Sequence, residues 1–535
     1  MFRKYEVEQQ MSLINSDAWM DKRTKKKLDE SWAPVFFENV YSRIDESPFS
    51  VLYDNTGVGG APNFPVRILL SLELIKHMQD LSDEELMEKY DFDYLVNYAL
   101  GNRALGAKPM SKRTLYYFRE RLYLHTAMHP ESEDLIFGQF KSLTQGLSKA
   151  ANLKLDEQRM DTTFFMSNIK KAGRISLAFD VLTRGAKKIP ERERTEAARE
   201  ILSPTFRREI LYKARSSETE SKLTLLLRLC KGVLDTLAGL GGAADETRIL
   251  TRLLEEQAVA GETGEVEARD GKAVSPKSMQ SAHDEDATYR KKNGAGHKGY
   301  VAGITETCSG DNPFQVITDY AVRPNAASDV EIAGDRLEAV SETGCGTLFV
   351  DGGMSSADII KKASGVGIEM RFTNLTGSEP DPGLLGACDF EIAGSQVVRC
   401  PEGHAPDEAV AGKGSVAARF DRELCAGCPC FEICPSKLQK KNATVRFKEG
   451  QMAMSLARHQ LENNFVENVS KRAAIEGTNS ALKRTGMGKL RVRGKVKCGL
   501  VCGLKILGQN VKRFIRFAQG LYPPKTQGVI MPSRA

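Results

Sequence analysis

NNFVENVSKRAAIEGTNSALKRTGMGKLRVR, residues Asn463 to Arg493, sets one acid, Glu476, among bases. Arg472 lies four residues before it and Lys483 seven after. At about 3.6 residues per turn, these offsets put all three side chains on one stripe of a helix. Such a stripe is ordinarily a solvated charged face. It has a second reading, in which Glu476 is the last of three metal-binding carboxylates and the cations hold nucleic-acid phosphates. The rest of the chain decides between them.

The chain has 535 residues, room for two to four domains at roughly 100–200 residues each. A hydrophobic content of 41% and a charged content of 27% are ordinary for a globular protein with a core. The net charge of +6 is mildly basic and by itself only a slight pointer to nucleic acid. The most apolar stretch, Leu223 to Leu240, is interrupted by Arg228, Lys231 and Asp235, so no membrane partner is expected. MFRKYEVEQQMS at the start has no apolar core followed by a cleavage site, and a cytoplasmic location is expected. The eleven cysteines are then thiols or metal ligands rather than disulfides.

Early in the chain, GVGGAPNFP (Gly57–Pro65) is a turn-rich break, and PVRILLSLELIKHM reads as a buried helix with Pro65 in its first turn. Ser82 and Glu85 form a capping box, with Leu81 and Leu86 as a hydrophobic staple. A third start at Ser111 leads into KRTLYYFRERL, apolar at Leu115, Phe118 and Leu122 and cationic at Lys112 and Arg113. Capped helices ending in a basic one suit a helix-turn-helix-like DNA reader, and suit an ordinary helical bundle equally. Residues 170–282 are charged, poor in aromatics and periodic at helical spacing, so a helical insertion is expected.

Strand character surrounds that insertion. RMDTTFFMS places Asp161 near the start of a short strand. GYVAGITET and FQVITDYAV alternate around CSGDNP and predict a hairpin. A helix is expected from about Ser328 to Ser341, then a buried strand Thr347–Asp351 ending in an acid. Ser355 is expected to cap the next helix, and IEMRFTN to form another strand. Asp284 and Asp286, just before the hairpin, are outside candidates for the same site.

The cysteines cluster later, as Cys400-Pro-Glu-Gly-His404 and CAGCPCFEIC. Cys425 and Cys428 have a zinc-knuckle spacing, and Cys400 and Cys434 complete a tetrahedral set, with Cys430 or His404 as substitutes. A structural Zn2+ fits four thiolates; an iron–sulfur cluster fits them too. Cys230, Cys308, Cys345, Cys388, Cys498 and Cys502 read as buried or incidental.

Strand, hairpin, helix, strand, helix, strand, helix is the layout of a ribonuclease H-like fold. The expected class is mixed α/β: a five-stranded mixed sheet with flanking helices, an all-α N-terminal domain and two insertions. In that layout the first and fourth strands are neighbours, and the final helix brings Glu476 to Asp161 and Asp351. Three carboxylates there hold two divalent ions, and hard oxygen donors suit Mg2+ or Mn2+.

With RMDTTFF, FVDGGMSSAD and RAAIEGTNSALKR in this order, the chain resembles a bacterial insertion-sequence transposase of the DDE class. The family pattern at the glutamate is Tyr, two residues, Arg, three residues, Glu, six residues, Lys. Arg472, Glu476 and Lys483 fit it, while Val469 stands at the tyrosine position. The resemblance implies metal-dependent cleavage at transposon ends and strand transfer into target DNA, catalysed by Asp161, Asp351 and Glu476. It implies phosphate contacts from Arg472 and Lys483, and backbone tracking by Lys489, Arg491, Arg493, Lys495 and Lys497. The implied partners are double-stranded DNA, as terminal inverted repeats and target, and a second copy of the chain in a synaptic homodimer. The expected domains are 1–150, helical and DNA-binding through Lys112 and Arg113, and 151–535, catalytic. The latter holds the 170–282 insertion and a cysteine-rich insertion at 376–450. A nuclease that cuts without joining, or a non-catalytic DNA-binding remnant, are the alternatives.

Overall fold

The structure is a computed structural model. It describes residues 2–5, 20–53, 62–106, 108–212, 218–261, 264–292, 294–376, 383–393, 396–412 and 414–522. Most of the Gly57–Pro65 break lies outside the described residues.

A mixed sheet lies at the centre. Its strands are β1 (Glu157–Phe165), β2 (Thr288–Lys292), β3 (Ala295–Thr307), β4 (Ile317–Pro324), β5 (Thr347–Val350) and β6 (Glu369–Phe372). Five run side by side in the order β4-β3-β1-β5-β6, and β2 pairs with the first part of β3. β1 is antiparallel to β3 and parallel to β5. The parallel ladder pairs Glu157 with Thr347 and runs to Arg159 with Phe349. Two residues further along each strand stand Asp161 and Asp351, so register alone makes the two acids neighbours. Asp161 lies inside β1 rather than near its start, paired to Ile304 of β3.

Alternation divides the sheet into two faces. Tyr300, Ala302 and Ile304 of β3 point one way, while Gly303 between them points the other. Helix Asp329–Glu342 packs there, with a capping box from Ser328 and Glu331. A Cβ at Gly303 would lie 2.5 Å from Ile332 Cγ2, so only a glycine lets this helix seat on β3. Helix Ala357–Gly365 follows β5 and is capped by Ser356, one residue after the expected Ser355. Ser355 instead turns its hydroxyl to the Gly352 carbonyl at 2.7 Å.

The opposite face carries the N-terminal helices. Val66–Gln79 is almost wholly buried and starts after Pro65, which sits at its cap. Asp83–Phe92 has the expected Ser82–Glu85 capping box. These helices, Lys112–Met128 and Leu135–Ala150 share one core with β3, β4 and the last helix, Lys495–Ala518. Asn510 of that last helix exchanges two hydrogen bonds with the Ile317 backbone of β4, at 2.8 and 2.7 Å.

Two further bodies leave the sheet. Helices Arg174–Lys188, Thr219–Leu240 and Ala244–Gln257 close a separate core around Leu182, Leu226, Cys230 and Leu250. The cysteine-bearing stretch forms a four-stranded antiparallel sheet over Phe390, Phe420, Val445 and Phe447. No described helix is long and apolar enough to cross a membrane.

Candidate active site

The opening stretch is not one helix. A long helix, Glu449–Ala473, stops at Ala474; a short one, Ile475–Leu482, follows and ends in a π-turn over Lys483–Met487. Arg472 therefore closes one helix and Glu476 opens the next. The stripe expected across all three residues is interrupted, although Arg472 and Glu476 still meet at 3.4 Å. The KLRVR segment is not a helix either. It runs beside the end of β1, with the Leu490 amide donating to the Met166 carbonyl at 2.8 Å and the Asn168 amide to the Val492 carbonyl at 2.8 Å. Extended backbone alternates its side chains, so Lys489, Arg491 and Arg493 are exposed while Leu490 is buried.

Arg472 is the hub of the site. Its guanidinium lies 2.9 Å from Asp161 Oδ1, 4.0 Å from Asp351 Oδ2 and 3.4 Å from Glu476 Oε1. Asp161 is the buried member, Asp351 is half-buried and Glu476 is exposed. Burial pushes the Asp161 carboxyl above its usual range, and the Arg472 charge pulls it part of the way back. The second oxygen of Asp161 accepts from Asn479 Nδ2 at 3.0 Å. Asp351 follows β5 and caps the turn Gly352–Met354, its Oδ1 accepting from the Gly352 amide at 2.9 Å. A side chain at Gly352 would collide with Asn374, whose Oδ1 would lie 2.1 Å from the new Cβ.

Asp161 and Glu476 open onto a cleft of about 400 Å³ whose other walls include Phe164, Lys292, His297 and Lys483. Phe164 and His297 stack at 4.6 Å. The imidazole is held below its usual range by burial and by the neighbouring charges of Lys483, Lys171 and Lys292. Beside the cleft, Asp329 takes two hydrogen bonds from Arg290 at 2.9 and 3.2 Å and one from the Thr162 hydroxyl at 3.1 Å. Sequence reading passed over Asn479 and Asp329. Asn479 carried a signal, since it lies one turn after Glu476; Asp329 reads only as a first-turn helix acid.

A buried brace fixes the helix break. Glu306, wholly buried, accepts from Arg159 at 2.7 and 2.9 Å, from Arg513 at 3.0 Å and from the Thr478 hydroxyl at 2.7 Å. Arg159 also donates to the Lys471 carbonyl at 2.7 Å. β1, β3, both helices and the last helix are thus joined beneath Arg472 and Glu476.

Asp284 and Asp286 do not reach the triad. Asp284 accepts from the Tyr300 hydroxyl at 2.5 Å and the Gly494 amide at 3.0 Å, and Asp286 from the Lys495 amide at 3.2 Å. They hold the start of the last helix, where a carboxylate favours the positive end of the helix dipole. Of the expected DNA contacts, Lys112 pairs with Glu84 at 2.6 Å, Arg113 is exposed, and Val469 faces solvent.

The five cysteines Cys400, Cys425, Cys428, Cys430 and Cys434 border one small pocket with His404, and Cys430 lies 3.0 Å from Glu402 Oε1. Among the described residues, no group of three or more His, Cys, Asp or Glu side chains is drawn together closely enough to hold a metal ion. At the triad the reason is visible: the Arg472 guanidinium stands between the carboxylates. Five cysteines read as buried or incidental are buried; Cys388 is intermediate.

Two segments match known protein families. Residues 399–515 match a model described as a transposase DDE domain, and residues 24–121 one described as a transposase domain (DUF772). The first covers Arg472, Glu476, Lys483 and the cysteine cluster Cys400–Cys434, but not Asp161 or Asp351; the second covers Lys112 and Arg113. Together the two matches support an insertion-sequence transposase of the DDE class. No curated protein and no solved structure matches it.

Proposed function

We propose that the chain cuts DNA at transposon ends and joins the freed 3′-hydroxyl to target DNA, using Asp161, Asp351 and Glu476 as its catalytic set. One observation supports this reading: a carboxylate oxygen of each of the three acids lies within 4.0 Å of the Arg472 guanidinium, so all three face one cationic group. The strand order supports a ribonuclease H-like core, in which adjacent strands bring the two aspartates together.

The donor set fits a hard divalent cation such as Mg2+ or Mn2+, since all three acids offer carboxylate oxygen and the position already favours positive charge. Held by Asp161, Asp351 and Glu476, such ions would supply activation of an attacking oxygen and stabilisation of the leaving one. The chain's own residues do the rest. Asn479 holds Asp161 through its outer oxygen, leaving Oδ1 facing Arg472. Arg472 offsets the repulsion among the acids and, once released from them, is a bidentate phosphate donor. Lys483 and Lys292 line the cleft beside Asp161, where they hold phosphates of the cut strand. Lys489, Arg491 and Arg493 extend the same contact along the backbone.

In the cysteine-bearing body, Cys400, Cys425, Cys428 and Cys434 are assigned a structural Zn2+. Support comes from their grouping, since all four border the same small pocket. The reading includes residues 1–150 as a DNA-binding region and a homodimer that pairs two ends.

A strand-transfer assay tests the catalytic assignment. Asp161→Ala, Asp351→Ala and Glu476→Ala are each expected to lower joining by at least about a thousandfold while duplex binding persists, as loss of one group of a unit does. Joining at the wild-type rate overturns the assignment, and cleavage without joining by the wild type favours a nuclease. Metal analysis tests the cysteines: about one Zn2+ per chain is expected, and none after Cys425→Ser.

A further inference from the structure

The helical insertion takes no part in the triad, yet one of its surfaces is strongly cationic. Lys170, Lys187, Lys188, Arg207 and His283 line a cleft of about 590 Å³ floored by Phe179, Ile201 and Leu202. Asp180 is the acid among them. Arg184, also in the wall, is committed to Glu246 at 3.2 Å and to the Ala282 carbonyl at 2.6 Å. Lys188 shares Glu246 at 3.9 Å. Lys170, Lys187 and Arg207 have no ion-pair partner among the described residues. Unpaired cations gathered in a concavity raise the local potential and favour a polyanion over a single counter-ion.

The chain itself links the cleft to the basic segment that leaves the active site. Arg493, last of the exposed cations on the extended segment, donates to the Asn168 carbonyl at 2.7 Å. Lys170 is two residues beyond Asn168 in the chain, and Arg493 is the charge that acts most strongly on His283. Burial and that charge hold the imidazole below its usual range. From Asp161 to Asn168 the backbone is largely extended, about 23 Å at about 3.3 Å per residue. Along one DNA strand, with a phosphate about every 3.4 Å, that is roughly seven base pairs.

We propose that this cleft is a backbone-binding site for duplex DNA, holding phosphates about seven base pairs or more from the bond cut at the triad. The proposal rests on the DNA-cleaving reading above. Its contacts are to phosphate, so they position the duplex without reading its sequence.

The test uses the full chain and a fluorescein-labelled duplex of about 30 base pairs of mixed sequence, titrated by anisotropy between about 50 and 200 mM salt. The variant is Lys187→Glu with Arg207→Glu, both exposed positions. Each lost phosphate contact removes about 0.9 from the slope of log affinity against log salt. The variant is expected to lower that slope by about two and to bind about tenfold or more weakly. Lys440→Glu with Lys441→Glu, which changes net charge equally on the cysteine-bearing body, is expected to leave the slope within about half a contact. An unchanged slope in the first variant, or an equal fall in both, overturns the cleft and leaves the catalytic reading standing. A wild-type chain that binds no duplex overturns both. Where charge reversal disturbs folding, Lys187→Gln with Arg207→Gln is judged by the same slope, about two below wild type or not.

Discussion

Asn479 is the residue whose role is simplest to isolate. Its amide nitrogen binds the oxygen of Asp161 that Arg472 does not, and its own Oδ1 is buried without a partner among the described residues. Asn479→Ala removes a hydrogen bond to a charged group worth about 1.5–3 kcal/mol. Since it aims Asp161 and touches no other acid of the triad, strand transfer is expected to slow by roughly ten- to a hundredfold with duplex affinity unchanged. A parallel loss of affinity would show a structural role instead. His77, far from the triad, sets an acid limit on stability. Buried beside Glu73 at 3.6 Å, its imidazole is pulled down to about 4, chiefly by burial. The unfolded chain, with its histidine near 6.5, then binds the proton more tightly. Stability is therefore lost as pH falls from about 6.5 towards 4, by up to about 3 kcal/mol at 1.36 kcal/mol per unit. Urea midpoints across that range are expected to fall more steeply for wild type than for His77→Gln.

At the scale of elements, the break at Ala474 decides the site. Helical arithmetic placed Arg472 and Glu476 together, and they are together, but across a join between two helices. Arg159 takes the Lys471 carbonyl near the end of the first helix, and Thr478 ties the second to Glu306. Glu306→Gln would leave Arg159 and Arg513 with no carboxylate between them. Breaking a buried pair by removing one partner costs about 3–5 kcal/mol, and guanidinium denaturation should show a loss of that size. Strand transfer should fall as well, because the join is no longer held. A second element-level device is Gly486, in the left-handed region at φ +81°. A Cβ there would meet Asp80 Oδ1 at 2.5 Å. Gly486→Ala combines backbone strain with that contact, at about 1–3 kcal/mol, read as a shift in melting temperature.

Across the whole molecule, the apolar side of the last helix is covered from both directions. Gly508 lies against Met78, with a built Cβ at 3.3 Å from its backbone, and Lys505 pairs with Asp80 at 3.0 Å. The N-terminal helices and one face of the sheet thus bury the same residues. A fragment of residues 151–535 would expose Leu500, Leu504, Leu507 and Val511 to water, contiguous apolar surface that drives aggregation. It is expected to be insoluble or molten by near-ultraviolet dichroism, whereas the full chain is expected to show a fixed aromatic signal.

Sequence by itself determined the local grammar. The capping box at Ser82, the helix start near Ser328, the alternating hairpin, the strand before Asp351 and the acids' identities all rest on interactions within a few residues, which adjacent letters record. It also determined that Asp161 and Asp351 would meet, once their strands were taken as neighbours. Tertiary structure alone decided where the long helix stops, because the groups that end it, Arg159 and Glu306, come from strands more than 150 residues away. It decided that KLRVR is extended, since its backbone partner is the end of β1. It removed Asp284 and Asp286 from the site by giving them the last helix to cap. The stripe from Arg472 to Lys483 was legible as charge; that its guanidinium would face three carboxylates at once depended on packing between distant segments, which no spacing along the chain encodes.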